Sequence, residues 1–137
     1  MLVAVYGTLR AGFGNHSLLG DSPLVGQGRT VREFTMLASG FPVCLEDVDD
    51  TTLPPTRVVV EVYDTGAASV PAQIVRRLDN LEGHPDWYER KPIQVQLDAG
   101  EEVTAWMYLM PGTRDDFPSW AYVQDGDFKN FRRQHVR

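Results

Sequence analysis

The sequence predicts an α+β domain built on a mainly antiparallel sheet that curls toward a small barrel. Runs typical of β-strands dominate the chain, one segment has clear helical spacing, and there is no repeated or low-complexity segment. The length of 137 residues, with 42% hydrophobic and 23% charged residues, is typical of one globular domain. We therefore expect a single domain over residues 1–137.

The strand predictions rest on apolar and β-branched runs. The first run, residues 2–6, is apolar and stops at Gly7, as expected of a central strand buried on both faces. Weaker signals cover residues 28–37 and 41–45, with residues 39–40 as a hairpin connection. Three more strands are predicted over residues 57–63, 88–97 and 103–110.

The clearest helix prediction covers residues 71–82. Ile74, Leu78 and Leu81 recur there at helical spacing, Pro71 lies in the first turn, and Gly83 is a natural stop.

The remaining segments give weaker signals. A short helix or turn is expected over residues 15–19, and the acidic, proline-containing stretch 46–55 is expected to be an exposed loop. The tail from Asp125 is polar, with Phe128 and Phe131 as apolar anchors and its basic residues in solvent.

Composition excludes several function classes. The net charge of −6 argues against nucleic acid, and no segment has the ~20 apolar residues of a membrane span. A single cysteine, Cys44, cannot form an internal disulfide, and His16, His84 and His135 are too far apart in sequence for a zinc triad. We therefore expect a cytoplasmic protein with no metal and no cofactor.

The first candidate site is the loop Tyr6-Gly7-Thr8-Leu9 at the end of the first strand. Glycine lets a backbone approach a ligand closely, and successive N–H groups can hold a carboxylate or a developing oxyanion. The loop matches neither the phosphate-loop pattern nor the dinucleotide fingerprint. A plain strand-to-loop turn is the alternative.

The second candidate is Glu82, which follows Leu78 by four residues and therefore shares the apolar stripe of the predicted helix. Desolvation and the negative end of the helix dipole would both raise its proton affinity, as a general base requires. Alternatively, Glu82 reaches solvent or pairs with Arg90. Tyr88 and Arg90 share one strand face, where they could orient a ligand or brace Glu82.

The other residues with reactive side chains are not expected to take part in catalysis. Asp79 lies further round the helix, where it would be solvated or paired with Arg76. Cys44 lies in an apolar strand and is expected to be an inert core thiol. Ser17 and Ser39 have no nucleophile-elbow context.

Together these segments resemble the γ-glutamylcyclotransferase-like superfamily, and most closely its γ-glutamylamine cyclotransferase branch. The opening VYGTLRAGFGNHSLLG is similar to the family's strand, Tyr-Gly-Ser/Thr-Leu loop and Asn-His pair. The segment LDNLEGHPDWYERKPIQVQL is similar to its LDxxEG signature followed by Tyr-x-Arg. The strand EVTAWMYLM and the DGDF of the tail also fit its layout, so the resemblance covers most of the chain.

The resemblance implies a small mixed β-barrel with flanking helices and a cavity for a γ-glutamyl group. It implies that Glu82 moves a proton while the substrate's α-amino group attacks its own γ-carbonyl, which releases an amine and leaves 5-oxoproline. Amides around Gly7, Thr8 and Leu9 would hold the α-carboxylate or the oxyanion, and Tyr6 would line the cavity.

The leaving group stays open at this point. A γ-glutamylamine such as γ-glutamyl-lysine is the first expectation, and glutathione or removal of a γ-glutamyl protecting group in a biosynthetic pathway are enzymatic alternatives. A different class is a non-catalytic module that binds a small acidic metabolite or a peptide terminus in the same cavity. No heptad seam is present, so we expect a monomer.

Overall fold

In the computed structural model, five strands close into a mixed β-barrel. The structure describes residues 1–46, 53–66, 78, 81 and 88–135. The strands in this part of the chain are β1 (Leu2–Val5), β2 (Leu24–Ser39), β3 (Phe41–Leu45), β4 (Thr56–Asp64), β5 (Glu89–Leu97), β6 (Glu102–Leu109) and β7 (Ala121–Tyr122).

Strand β2 closes the barrel because its first half pairs with both β4 and β5. Around the barrel the order is β2-β4-β1-β6-β5, and only the β1–β6 pairing is parallel. The closure needs glycine at Gly28, where a Cβ would overlap the backbone oxygen of Gln96. The second half of β2 continues beyond the barrel and pairs with β3 and β7.

Two clusters of buried side chains lie on opposite sides of the barrel wall. The interior cluster takes residues from all five barrel strands, for example Ala4, Phe34, Val60, Val95 and Met107. The outer cluster lies on the other face of β1 and extends over β2, β3 and β6; its members are Val3, Val5, Leu9, Leu19, Leu37, Val43, Leu45, Tyr63, Leu78, Tyr88, Tyr108 and Met110. Strand β1 is buried on both faces, as predicted.

The described helical segments are short. Two 3-10 helices cover Gly14–Leu19 and Arg114–Asp116, and an α-helix covers Phe128–His135. Leu78 and Leu81 are helical, in agreement with the predicted helix, whose other residues lie outside the described part of the chain. Among the described residues, no helix has the length and apolar character needed to cross a membrane.

The fold class and the main strands are confirmed, with local corrections. Strand β2 starts at Leu24, earlier than predicted, and β7 was not predicted, because two residues carry no periodicity. In the tail, the predicted anchor Phe128 is buried in the interior cluster, Phe131 packs against it, and Arg132 and Arg133 are exposed as expected. The helix itself was not predicted, and Lys129 is not in solvent, because its Nζ donates to buried Glu61. Most of the expected exposed loop at 46–55 lies outside the described residues.

Candidate active site

The loop after β1 presents a row of backbone donors. Arg10 N–H donates to Gly7 O at 3.0 Å, which closes a tight turn. Within the described part of the chain, the N–H groups of Gly7, Thr8 and Leu9 have no hydrogen-bond acceptor. Three successive N–H groups without a protein acceptor can donate hydrogen bonds to a bound anion, and they can do so without any rearrangement of the backbone.

Two side chains from the next 3-10 helix hold the loop in place. Asn15 Nδ2 donates to Thr8 Oγ1 at 2.9 Å. His16 Nδ1 lies 2.8 Å from Leu9 O, and because a carbonyl oxygen can only accept, Nδ1 carries the proton. The Asn-His pair of the first signature therefore fixes the loop.

Pro42 on β3 joins the loop to Tyr88. Gly7 packs so closely on Pro42 that a Cβ would lie 2.8 Å from the proline Cγ. Tyr88 Oη donates to Pro42 O at 3.0 Å from a buried position. The structure therefore brings Gly7 and Tyr88, predicted from separate segments, to the two sides of one proline.

Tyr6 and Arg90 both contact β6. Tyr6 Oη donates to Tyr108 O at 2.6 Å, and Tyr108 is the register partner of Arg90. The Arg90 guanidinium lies 5.0 Å from the centroid of the Trp106 ring, at cation–π distance. Tyr6 belongs to the interior cluster, so it reaches β6 from inside the barrel.

Leu78 connects the predicted helix to this region. It is completely buried in the outer cluster, together with Leu9 and Tyr88. Leu78 is therefore buried in the same cluster as Leu9 of the loop. Glu82, four residues later in the sequence, lies outside the described residues, as does Asp79.

A buried ionic cluster supports the far end of the loop. Glu61 accepts hydrogen bonds from Arg10 Nε and Ala11 N–H, each at 2.9 Å, from Tyr63 Oη at 2.7 Å and from Lys129 Nζ at 3.2 Å. Burial by itself would raise the pKa of this carboxyl, but the four donors outweigh it and hold the pKa at about 2. Burial, followed by the hydrogen bond to Glu61, raises the pKa of Tyr63.

An aromatic group lies at the border of the outer cluster. Trp120 packs edge-on against Phe41 and Phe117, with ring centroids 5.1 Å apart in both pairs. Phe117 and Trp120 pack against the outer cluster, to which Leu9 and Tyr88 belong. The sequence offered no motif for this segment.

Cys44 is fully buried, and that burial raises the pKa of its thiol, with a hydrogen bond involving Tyr6 acting in the opposite direction. This environment agrees with the predicted inert core thiol. In the described part of the chain, no group of three or more His, Cys, Asp or Glu side chains is arranged to hold a metal ion.

A known protein family matches nearly the whole chain. The family model described as "Gamma-glutamyl cyclotransferase, AIG2-like" matches residues 3–130, almost the whole chain. The chain belongs to this family. Both signatures lie within the matched range, so the resemblance predicted from the loop and the LDNLEG segment is confirmed at the level of the family.

Individual proteins similar to this chain carry names of the same family. A Methanocaldococcus jannaschii protein named "Putative gamma-glutamylcyclotransferase" is 36% identical over 131 residues, covering 95% of this chain and 97% of its own. The Mus musculus gamma-glutamylaminecyclotransferase is 28% identical over 136 residues, covering 88% and 83%. The crystal structure of an aig2-like protein from Mus musculus superposes with a TM-score of 0.71 at 26% identity, covering 92% and 87%.

The buried ionic cluster around Glu61 was not predicted from the sequence. Two signals were present: Glu61 interrupts a β-branched run in which every neighbour is apolar, and Asp127 lies in the DGDF segment. A charged residue in a buried strand requires partners, so Glu61 predicts a nearby cation. Its partner Arg10 could not be chosen from the sequence, because 51 residues separate the two.

Proposed function

We propose that this chain is a cyclotransferase that closes a γ-glutamyl group to 5-oxoproline and releases the attached amine, with γ-glutamylamines as substrates. Membership of the gamma-glutamyl cyclotransferase family supports the reaction type. The observation that carries the proposal is the row of N–H groups at Gly7, Thr8 and Leu9, which have no acceptor in the described part of the chain and belong to a loop that is linked to Tyr88 through Pro42.

The loop is proposed to hold the anionic part of the substrate. A γ-glutamyl group carries an α-carboxylate, and its γ-carbonyl oxygen becomes an oxyanion when the ring closes. Backbone N–H groups suit either charge, and one oxyanion donor is worth about 3 to 4 kcal/mol of transition-state stabilisation in other enzymes. Tyr88, in the outer cluster with Leu9, and Arg90 are proposed to complete the walls of the site around this loop. Tyr6 belongs to the interior cluster on the other side of the barrel wall, and its lining role stays a prediction.

Glu82 is proposed to move the proton. The neutral α-amino nitrogen attacks the γ-carbonyl carbon, and the Glu82 carboxylate takes the proton that this nitrogen loses. Glu82 then returns the proton to the nitrogen of the departing amine as the original amide bond breaks. One C–N bond forms and one breaks, and neither water nor a cofactor is consumed.

Holding the substrate in a curled conformation supplies much of the catalysis. The attacking nitrogen and its target carbon belong to one molecule, so the enzyme must fix the rotatable bonds of an extended glutamyl chain. Favourable intramolecular geometry of this kind can be worth roughly 7 to 11 kcal/mol of barrier. A loop anchored by Asn15, His16 and Glu61 is suited to this task because its backbone is already ordered.

The leaving group is assigned to the amine class. The two signature segments resemble the γ-glutamylamine branch, and two relatives, from Mus musculus at 28% identity and Rattus norvegicus at 29%, are named for that activity, whereas the 36% identical relative is named a putative gamma-glutamylcyclotransferase. Phe117 and Trp120, which pack beside the cluster that contains Leu9, would contact the alkyl stem of such an amine. A cytoplasmic location and a monomeric state stay predictions.

The test is mass-spectrometric detection of 5-oxoproline after incubation with γ-glutamyl-ε-lysine, other γ-glutamylamines, γ-glutamyl amino acids and glutathione. We expect release from the γ-glutamylamines by the wild type and loss of release in Glu82→Gln. Asp79→Asn is the matched control, an acidic residue three positions earlier that is expected to retain activity. Preference for glutathione would replace the amine assignment.

A folded wild type that binds 5-oxoproline or a γ-glutamyl compound but turns over nothing in the panel would instead support the non-catalytic binding module. Full activity in Glu82→Gln would refute the assigned proton transfer while leaving the reaction itself in place.

A further inference from the structure

Glu61 is a buried carboxylate that the proposed proton transfer does not use. It lies on the outer face of β4, opposite Val5 in the β1–β4 register, and only 4% of its surface is exposed. Two of its donors, Arg10 Nε and Ala11 N–H, belong to the residues that follow the Gly7–Leu9 turn directly. The carboxylate therefore binds both a side chain and the backbone of one loop.

The charges around Glu61 form a closed group. Arg10 is as buried as Glu61, and its Nη1 donates to Asp127 Oδ1 at 2.9 Å, while Lys129 Nζ completes the contacts of Glu61 at 3.2 Å. Two cations thus face two carboxylates. A buried charge without its partner is strongly unfavourable, so this group has one arrangement that satisfies every member.

From this geometry we infer that Glu61 is a positioning residue: through Arg10 and Ala11 it holds the Gly7–Leu9 backbone in the conformation that binds the γ-glutamyl group. The link is short, because Arg10 N–H is bonded to Gly7 O. Any movement of Arg10 would therefore move the turn that carries the three donors. This inference rests on the proposed function of the loop.

The C-terminal helix takes part in the same link. Asp127 Oδ1 accepts both Arg10 Nη1 and the backbone N–H of Asn130, in the first turn of that helix. Phe128 is buried in the barrel interior and contacts Phe13, just after the loop. The helix is thus anchored in the barrel by Phe128. The residues on either side of Phe128 bind the group that supports the loop: Asp127 binds Arg10, and Lys129 binds Glu61.

Glu61→Gln tests the inference because it keeps the size of the side chain and removes its charge. We expect kcat/KM for 5-oxoproline release to fall by roughly 10- to 100-fold, since a misplacement near 1 Å can cost about 100-fold. The shape of the pH–rate profile should stay that of the wild type. Amide hydrogen exchange should become faster at Arg10, Ala11 and Phe13, whose N–H groups are hydrogen-bonded in this segment of residues 7–13, and stay unchanged in β5 and β6.

Thr30→Val is the matched control. The Thr30 hydroxyl is buried in the barrel wall, where it accepts from Val58 N–H and donates to Arg32 O, and it does not touch the loop. This variant should lower stability without changing kcat/KM or the exchange at residues 7–13. Equal effects in Thr30→Val and Glu61→Gln would overturn the inference, because the loss would then follow stability alone.

Asp127→Asn is the second variant, which removes one carboxylate that is only partly buried. Like Glu61→Gln, it should lower kcat/KM and make amide hydrogen exchange in the loop faster, each by a smaller factor. Unchanged exchange and unchanged kcat/KM in either folded variant would refute the positioning role. If the wild type itself releases no 5-oxoproline, the proposed function fails, whereas the exchange experiment still decides whether Glu61 holds the loop.

Discussion

An alanine at position 7 should damage both the stability of the protein and its turnover. Gly7 contacts a rigid ring: the added Cβ would lie 2.8 Å from Pro42 Cγ and 2.9 Å from its Cδ. This is about 0.6 Å short of an ordinary van der Waals contact, and a proline ring cannot rotate away. Pro42 is also held by the hydrogen bond from Tyr88, so the loop has to move instead.

The expected magnitudes follow from that displacement. Overpacking of a well-packed site costs about 1 to 3 kcal/mol, so the free energy of unfolding of Gly7→Ala should fall by this amount. Because the displaced residue carries the proposed donors, kcat/KM should fall by roughly 10- to 100-fold. Urea unfolding followed by tryptophan fluorescence and the rate of 5-oxoproline release measure the two effects.

Gly14→Ala provides the matched control within the same segment. Gly14 is exposed, and an added Cβ meets nothing within 4 Å. This variant should be as active as the wild type and equal or slightly higher in stability, since alanine restricts the unfolded chain. The reasoning is refuted if Gly7→Ala matches Gly14→Ala in both stability and activity.

Three further predictions follow from the buried groups. The pKa of Glu61 is about 2 in the folded protein against a usual 4.5, so its contribution to stability is complete above about pH 5 and is lost as the pH falls toward 2. Urea unfolding at pH 7, 5, 4 and 3 should show this loss in the wild type, and a smaller one in Glu61→Gln. Cys44 should react with a thiol reagent at pH 8 only when urea unfolds the protein, and rapid reaction in the native state would contradict its burial. Tyr88→Phe removes the donor to Pro42 O and should lower the free energy of unfolding by about 0.5 to 1.5 kcal/mol in the same assay; no measurable change would mean that water replaces this bond.

The strands that were predicted best are those with a strong local pattern. β4 has a run of valines, and β5 alternates buried Ile93, Val95 and Leu97 with exposed residues. These patterns are visible in a short window because the period of side-chain direction in a strand is two. β7 and the C-terminal helix were missed, since their order comes from contacts with distant elements: β7 with β2, and Phe128 with the barrel interior.

In the candidate site, too, local patterns could be predicted and contacts between distant residues could not. Gly7 and Tyr88 were predicted as site residues from residue types and spacing, Leu78 was predicted on the apolar stripe of a helix, and the resemblance to the family that matches the chain came from the same two segments. Their meeting could not be predicted: Pro42 lies between Gly7 and Tyr88 because β3 pairs with the long β2, a fact of topology.

The sequence by itself determined the residue chemistry: a glycine-containing loop at the end of a buried strand, a predicted helix stripe that ends in an acidic residue, and strands whose alternation defines a two-sided sheet. Only the tertiary structure decided which distant groups support that chemistry. Glu61 is 51 residues from Arg10 and 68 from Lys129, and local patterns carry no information about partners at such separations. The closure of the barrel selects those partners, because it places β4, the loop and the C-terminal helix around one buried carboxylate that must be neutralised.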